Sequence, residues 1–302
     1  MSGDGQRAAA ALREFAVDTP FGRLGGLRNN VHGAPRLLAL HGWLDNAASF
    51  VPLAPHLAGF DLVAPDLPGH GVSAHLPPSA EYTLVAAARA AFAVADALGW
   101  DRFALLGHSM GGATASLMAA AAPQRIERLQ LIEALGGLSE AEERTASRLR
   151  DAFAHQAALS GKQLRVFGDI ATAVRARMQA NGLSEPVARL LVERGIAPVP
   201  AGRYADDAAG GYIWRSDPRL TLATAVRMTE AQVRDLIASI QCPTRVIYVE
   251  PAFRYFNTEL RNARIALLRH GESAAVPGGH HLHMEDPDAV MAAIGDFLTR
   301  PL

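Results

Sequence analysis

The chain has one cysteine and one lysine among its 302 residues, and aromatic side chains make up only 6%. The single cysteine, Cys242, excludes an internal disulfide framework. It precedes Pro243 and an apolar run, the setting of a packed thiol rather than a reactive one. Because Lys162 is the only lysine, the basic side chains are otherwise all arginine, and alanine is abundant. That bias reads as the codon usage of a GC-rich, bacterial genome and not as phosphate recognition. A net charge of −1 removes any global pull toward nucleic acid or an anionic membrane. Long apolar runs are missing too. The longest apolar region, Leu84 to Trp100, is interrupted by Arg89 and Asp96 and is not a bilayer span. At the N-terminus, Met1 to Arg7 is too polar and Ala8 to Leu12 too short for a secretory signal. A cytoplasmic protein is expected, with neither nucleic acid nor membrane as partner. Monomer and homodimer are both compatible with the chain.

What is present is enough apolar material for a full core, 49% of residues, arranged in an alternating pattern. A turn at Asp18-Thr-Pro-Phe-Gly22 between residues 14–18 and 22–28 predicts an N-terminal hairpin. Strands then alternate with helices, as a parallel sheet with crossovers requires. Strands are expected at Arg36 to Leu40, Phe60 to Pro65, 103–107 and Ile126 to Glu133, with helices at Ala47 to Leu57 and Leu84 to Leu98. After about residue 137 the texture becomes charged and helical. Ser139 is a candidate N-cap for a helix to Gln156, with Glu142 completing a capping box. Further helices fit 170–180, 184–194 and 218–239, without a strand signal. The strand pattern resumes at Pro243 to Val249, followed by a helical stretch around 256–269, a strand at 273–276 and a helix from Pro287 to Leu298. The expected division is therefore a core in two parts, 1–136 and 241–302, around an all-helical lid at 137–240.

The most informative segment is Gly107-His108-Ser109-Met110-Gly111, set between an apolar strand pattern and a small-residue helix pattern. G-x-S-x-G in a strand–turn–helix context is a nucleophile elbow, with the serine exposed at a sharp turn. A serine hydroxyl needs a base within hydrogen-bond reach. Three histidines lie in Gly278-Gly-His280-His281-Leu-His283-Met-Glu285-Asp-Pro287. Their one- and two-residue spacings do not match the i, i+4 placement of two ligands on one helix face, so a metal reading is weak. Two carboxylates compete for the acid role. Glu133 ends an otherwise apolar strand, where an unpaired charge is costly, and Glu250 ends the strand after the lid. Asp45 and Asn46 either orient a substrate or end a turn and cap the next helix. The acidic and basic residues Glu140, Glu142, Glu143, Arg144, Arg148 and Arg150 read as a solvated helix face with i, i+4 pairs. Phe153, Phe167, Tyr204, Tyr212 and Trp214 read as core, with one or two lining an acyl pocket.

Four segments together resemble the α/β-hydrolase superfamily: His41-Gly-Trp-Leu-Asp-Asn46, Asp66-Leu-Pro-Gly-His-Gly71, Gly107-His-Ser-Met-Gly111 and the His280 segment. The Gly-Trp-x-Asp-Asn loop, the acid at 133 and the stretches Leu190 to Arg194 and Trp214 to Leu220 are similar to the serine hydrolase-like proteins. The resemblance implies a mostly parallel eight-stranded sheet flanked by helices with a cap insertion. It also implies Ser109 as nucleophile and His280 as base, from the pattern Gly-His-four residues-Glu-x-Pro. His281 and His283, like His108, become lining or wall residues. Where many relatives carry the acid, in a segment resembling Gly-Glu-x-Asp, this chain reads Glu250-Pro-Ala252. That moves the expected acid to Glu133, with Glu250 as the alternative. The backbone N–H groups of Met110 and Trp43 would form the oxyanion hole, His41 would buttress its loop, and Asp66 to Gly71 would be structural. The implied activity is cofactor-free cleavage of a carboxylic ester, or of a related acyl substrate, through an acyl-enzyme. An acyltransferase, a C–C bond hydrolase on the same scaffold and a non-catalytic hydrolase-like binding protein are the alternatives.

Overall fold

A computed structural model describes residues 11–159, 165–202 and 210–301. The expectations for the extreme N-terminus and for Tyr204 lie outside the described residues. Strands β1 (Arg13–Thr19) and β2 (Gly22–Arg28) form the expected antiparallel hairpin, which joins β4 (Asp61–Pro65) through β2. From there the sheet is parallel through β3 (Arg36–Leu40), β5 (Phe103–His108), β6 (Ile126–Ile132), β9 (Thr244–Glu250) and β10 (Gly271–Pro277). The order β1-β2-β4-β3-β5-β6-β9-β10 makes one eight-stranded sheet.

Both faces of that sheet are covered, and the period-two alternation of a strand shows how. In β3, Leu38 and Leu40 enter one core with helices α1 (Leu84–Ala97) and α2 (Met110–Ala121). Leu37 and Ala39 enter the other, with Phe50, Val290 and Phe297. Helix α1 starts where the Thr83 hydroxyl accepts the Ala86 N–H, a side-chain cap that satisfies one of the free amides of the first turn. The helix expected over Ala47 to Leu57 is instead two 3₁₀ turns, Ala47–Phe50 and Ala54–Leu57. Pro52 and Pro55 lack the N–H that a continuous helix needs.

Between β6 and β9 lie α3 (Thr145–Leu159), α4 (Ile170–Asn181), α5 (Glu185–Gly195) and α6 (Glu230–Ala238). This segment departs from the all-helical expectation. It contains a two-stranded antiparallel sheet of β7 (Ile196–Val199) and β8 (Gly211–Trp214), whose β-branched and aromatic residues fit a pleated surface. Ser139 does not cap a helix. Its hydroxyl donates to Glu230, and α3 begins six residues later. The helix expected over 218–239 breaks into a 3₁₀ turn, Pro218–Thr221, and α6, which has its own capping box at Thr229 and Gln232. Phe153 is exposed rather than core, because α3 buries only Ala152. Phe167 is buried, in a separate cluster with Val174, Leu191 and Ile196. Helices α7 (Thr258–Ile265), α8 (Leu282–Glu285) and α9 (Pro287–Ile294) complete the chain. Cys242 is buried and free, and burial pushes its thiol up to about 11. None of these helices is long and apolar enough to cross a membrane.

The tightest constraint is where α2 meets the sheet. A Cβ on Gly111 would lie 1.9 Å from the Leu40 carbonyl oxygen, and one on Gly107 would lie 2.6 Å from the Gly112 Cα. The obstacles are backbone atoms, so no rotamer change relieves them. Gly111→Ala is therefore expected to destabilise the fold by at least about 2–3 kcal/mol in urea denaturation. Gly59→Ala, at an exposed glycine with nothing within 4 Å of the added carbon, should stay within roughly 0.5 kcal/mol of the parent.

Candidate active site

Ser109 stands between the last residue of β5 and the first of α2, with φ 52° and ψ −117°. A non-glycine residue in such a region is strained by on the order of 1–3 kcal/mol and persists only where its surroundings enforce it. Both of its backbone groups are engaged. The Ser109 N–H donates to the Ile132 carbonyl at 3.0 Å, and its carbonyl accepts the Ala113 N–H at 3.0 Å. The hydroxyl is thereby held off the end of the sheet.

His280 follows β10, and its Nε2 lies 2.9 Å from the Ser109 Oγ. Its Nδ1 faces the Glu133 Oε2 at 3.5 Å. Glu133 directly follows β6 and also has positive φ, 55°. Its N–H donates to the Ile247 carbonyl, and its Oε1 accepts the Val249 N–H at 2.6 Å. The side chain is buried, and among the described residues Oε2 has no hydrogen-bond partner, only the imidazole it faces at 3.5 Å. A buried carboxylate oxygen so placed needs a cationic or N–H partner. Burial lowers the His280 pKa from its ordinary value; the Glu133 carboxylate opposes that effect and the neighbouring His108 adds to it. The ring is therefore neutral at pH 7, so one of its two nitrogens carries a lone pair. Glu250 is elsewhere. Its half-exposed carboxylate accepts from the Arg261 guanidinium at 2.7 Å.

One neighbour carries no motif. The Tyr255 hydroxyl lies 2.6 Å from Nδ1 and 3.1 Å from Nε2 of His280. Burial and the Glu133 charge raise its pKa, so it is a neutral phenol. The aromatic run Phe253 to Phe256, in the loop after β9, was the available signal. Phe253 packs edge-on against His280 at 5.4 Å between centroids.

Behind the serine is a buried group of polar side chains. His108 Nε2 donates to the His280 carbonyl at 2.8 Å, and its ring is 4.1 Å from that of His283. Asp45 is buried against Arg177 and His281. Although burial works against its charge, the facing His108 and His281 imidazoles and the Arg177 guanidinium hold its carboxyl well below the usual range. Asn46 caps the first 3₁₀ turn through the Ala48 N–H and donates to the Leu191 carbonyl. His41 accepts the Leu67 N–H at Nε2 and donates from Nδ1 to the Gly42 carbonyl, and burial lowers its pKa to about 4. Both nitrogens are satisfied in the neutral form, so the ring holds two loops together. Asp66 accepts the Ala47 and Val72 N–H groups and the Arg194 guanidinium. Among the described residues, no group of His, Cys, Asp or Glu is arranged to hold a metal ion.

A cavity of about 630 Å³ opens over Ser109 and His280. Trp43 and Met110 border it, and their backbone N–H groups donate to no acceptor among the described residues. The loop presenting Trp43 turns at Leu44, φ 58°, and is closed by Asp45 N–H to Gly42 carbonyl at 3.2 Å. Asp45, His108 and His281 border the cavity, whereas Asn46 and Trp214 do not. Asn46 is occupied by the cap and the tether to Leu191, and Trp214 packs on Phe167 at 5.2 Å. Most of the wall is aliphatic, including Leu84, Leu117, Leu135, Leu222 and Leu236.

A family model described as the α/β hydrolase fold matches residues 35–171. The chain is similar to a serine hydrolase-like protein of Dictyostelium discoideum, 30% identical over 87% of this chain and 74% of that one. It is similar in structure to a hypothetical protein of Pseudomonas aeruginosa PAO1, with TM-score 0.87 and 39% identity, covering 95% of this chain and 99% of the other. A thioesterase domain from the curacin biosynthetic pathway aligns with TM-score 0.79 and 26% identity, over 94% of this chain and 99% of that domain.

The burial and partners of His280 make a prediction that needs no substrate. Followed by NMR, its imidazole should titrate below pH 6.5. Glu133→Gln removes the neighbour that favours the imidazolium, so the midpoint should fall further, by on the order of one unit. An unchanged midpoint would separate Glu133 from His280.

Proposed function

The chain belongs to the α/β-hydrolases, among the serine hydrolase-like proteins, and on that premise we propose that it cleaves carboxylic esters through Ser109, His280 and Glu133. The observation that carries this reading is the 2.9 Å contact between Ser109 Oγ and His280 Nε2, with the Glu133 carboxylate behind Nδ1. His280 takes the hydroxyl proton as Ser109 Oγ attacks the substrate carbonyl carbon. The resulting oxyanion is received by the N–H groups of Trp43 and Met110, and each such donor lowers the barrier by on the order of 3–4 kcal/mol. His280 then protonates the leaving alcohol, the C–O bond breaks, and an acyl-serine remains. Water attacks that ester while the same imidazole accepts its proton, and collapse returns Ser109 and a carboxylic acid. Glu133 keeps Nδ1 protonated and stabilises the imidazolium that forms twice per cycle.

In this reading residues 137–240 act as a cap whose aliphatic side chains receive the acyl group. The likeness to a thioesterase domain favours one extension of the same chemistry, to thioesters. A thiolate would then leave in place of an alkoxide.

A p-nitrophenyl ester series of increasing acyl length tests the assignment. Ser109→Ala should lower kcat/KM by about 10⁴-fold or more, and Glu133→Gln by roughly 10²–10⁴-fold. Glu250→Gln should remain within about threefold of the parent, since its carboxylate faces Arg261. Full turnover by Glu133→Gln together with loss in Glu250→Gln would transfer the acid role to Glu250.

A further inference from the structure

The cavity wall holds three arginines, and their partners differ. Arg219 pairs with Asp217 at 2.7 Å and Arg264 with Glu230 at 2.6 Å. Arg227 has neither an ion pair nor a hydrogen bond among the described residues. It is nevertheless only partly exposed. Burial lowers its pKa, Arg148 adds to that, and Glu140 opposes it. A guanidinium so placed still carries its charge at neutral pH.

Its surroundings are short of negative charge. Glu140 already serves two other guanidiniums, Arg148 at 3.1 Å and Arg144 at 3.6 Å. Three arginines thus gather around one carboxylate, and Arg227 is the one left without an ion pair or hydrogen bond among the described residues. The position is built, since the Glu140 N–H donates to the Met228 carbonyl at 3.0 Å and so ties the two segments together. Leu138 and Val226, next to these residues, are exposed and border the same cavity. A partly desolvated cation beside apolar side chains fits a ligand that is aliphatic along its length and anionic at one end.

We propose that Arg227 forms an oxyanion subsite of the cavity, so that the preferred acyl substrate carries a carboxylate or phosphate group that this guanidinium receives. The proposal rests on the serine-hydrolase reading of the same cavity. The anion could sit at the far end of the acyl chain or on the leaving group, and the two placements are separable.

In the first arm, p-nitrophenyl monoesters of dicarboxylic acids are compared with their methyl-capped counterparts across a series of chain lengths. In the second, acyl-phosphopantetheine is compared with acyl-pantetheine. In at least one arm the anionic member should be favoured in kcat/KM by about tenfold. Arg227→Gln should bring that ratio to within about twofold of one, and Arg227→Lys should keep part of it. Calorimetry with the free dicarboxylates and with phosphopantetheine reads the subsite without turnover. At least one should bind the parent protein more tightly than Arg227→Gln, by a similar factor. The proposal is overturned if no anionic ligand is preferred or bound, or if the preference survives Arg227→Gln. Arg227-dependent binding without any labelling of Ser109 by a fluorophosphonate would sink the hydrolase reading and leave the subsite standing.

Discussion

Everything at this site depends on one close approach, that of α2 to the ends of β3 and β5. Gly107, Gly111 and Gly112 let helix and strand backbones meet where a single methyl group would collide. That contact leaves Ser109 no room to continue either element, and its positive φ follows. The strain is held by a ladder of backbone bonds that runs across the sheet, from Ser109 to Ile132 and from Glu133 to Ile247. Ser109 and the Glu133 carboxylate are therefore adjacent by register, and both sit at strand ends with positive φ. Local strain at two residues is offset by packing and hydrogen bonds distributed over four strands.

The segment between β6 and β9 is fastened to this platform by buried charge. Arg194 of α5 reaches Asp66, and Arg177 of α4 reaches Asp45 and the Leu44 carbonyl. Asn46 donates to Leu191, Trp43 Nε1 donates to Leu220, and Ser184 donates to Glu285. Removing one partner of a buried pair costs more than the pair contributes, on the order of 3–5 kcal/mol. The contacts of Arg177, Leu191 and Leu220 fall on residues 43–46, the loop that shapes the site, while those of Arg194 and Ser184 reach Asp66, after β4, and Glu285, at the end of α8. Seating of the helical segment and shape of the site are thus one physical event. Asn46 is taken up by this fastening and does not border the cavity, whereas Asp45 takes part in it and still lines the cavity.

Legibility in the sequence followed the range of the interactions. Strand β3 was readable to the residue because an apolar run buried on both faces leaves no competing pattern. Ser109 was readable because its glycines report a backbone contact that side chains cannot disguise. Three features were harder. The 3₁₀ turns at 47–57 were masked by helix-like periodicity that two prolines interrupt. Strands β7 and β8 are only four residues each, so neither carries enough pattern alone. Tyr255 was signalled only by the aromatic run around it, since its relation to His280 is set by the loop after β9 and not by any spacing along the chain.

Reading Glu133 as the acid also explains what stands where many relatives carry theirs. Ala252 has no carboxylate, and Glu250 is held by an arginine that also lies 3.6 Å over the Tyr248 ring. Freed of the acid, the loop after β9 carries Phe253 and Tyr255, both packed on the imidazole. Burial lowers the His280 pKa, while Glu133, which faces the same Nδ1 as the Tyr255 hydroxyl, raises it. The two effects have opposite sign and act through the same ring. An imidazole walled by aromatics stays neutral near pH 7, and the buried carboxylate limits how far that depression goes. Moving the acid one strand over thus changes more than an address. It lets one loop supply the aromatic wall and another the charge, so that in this reading the basicity of His280 is set from two segments.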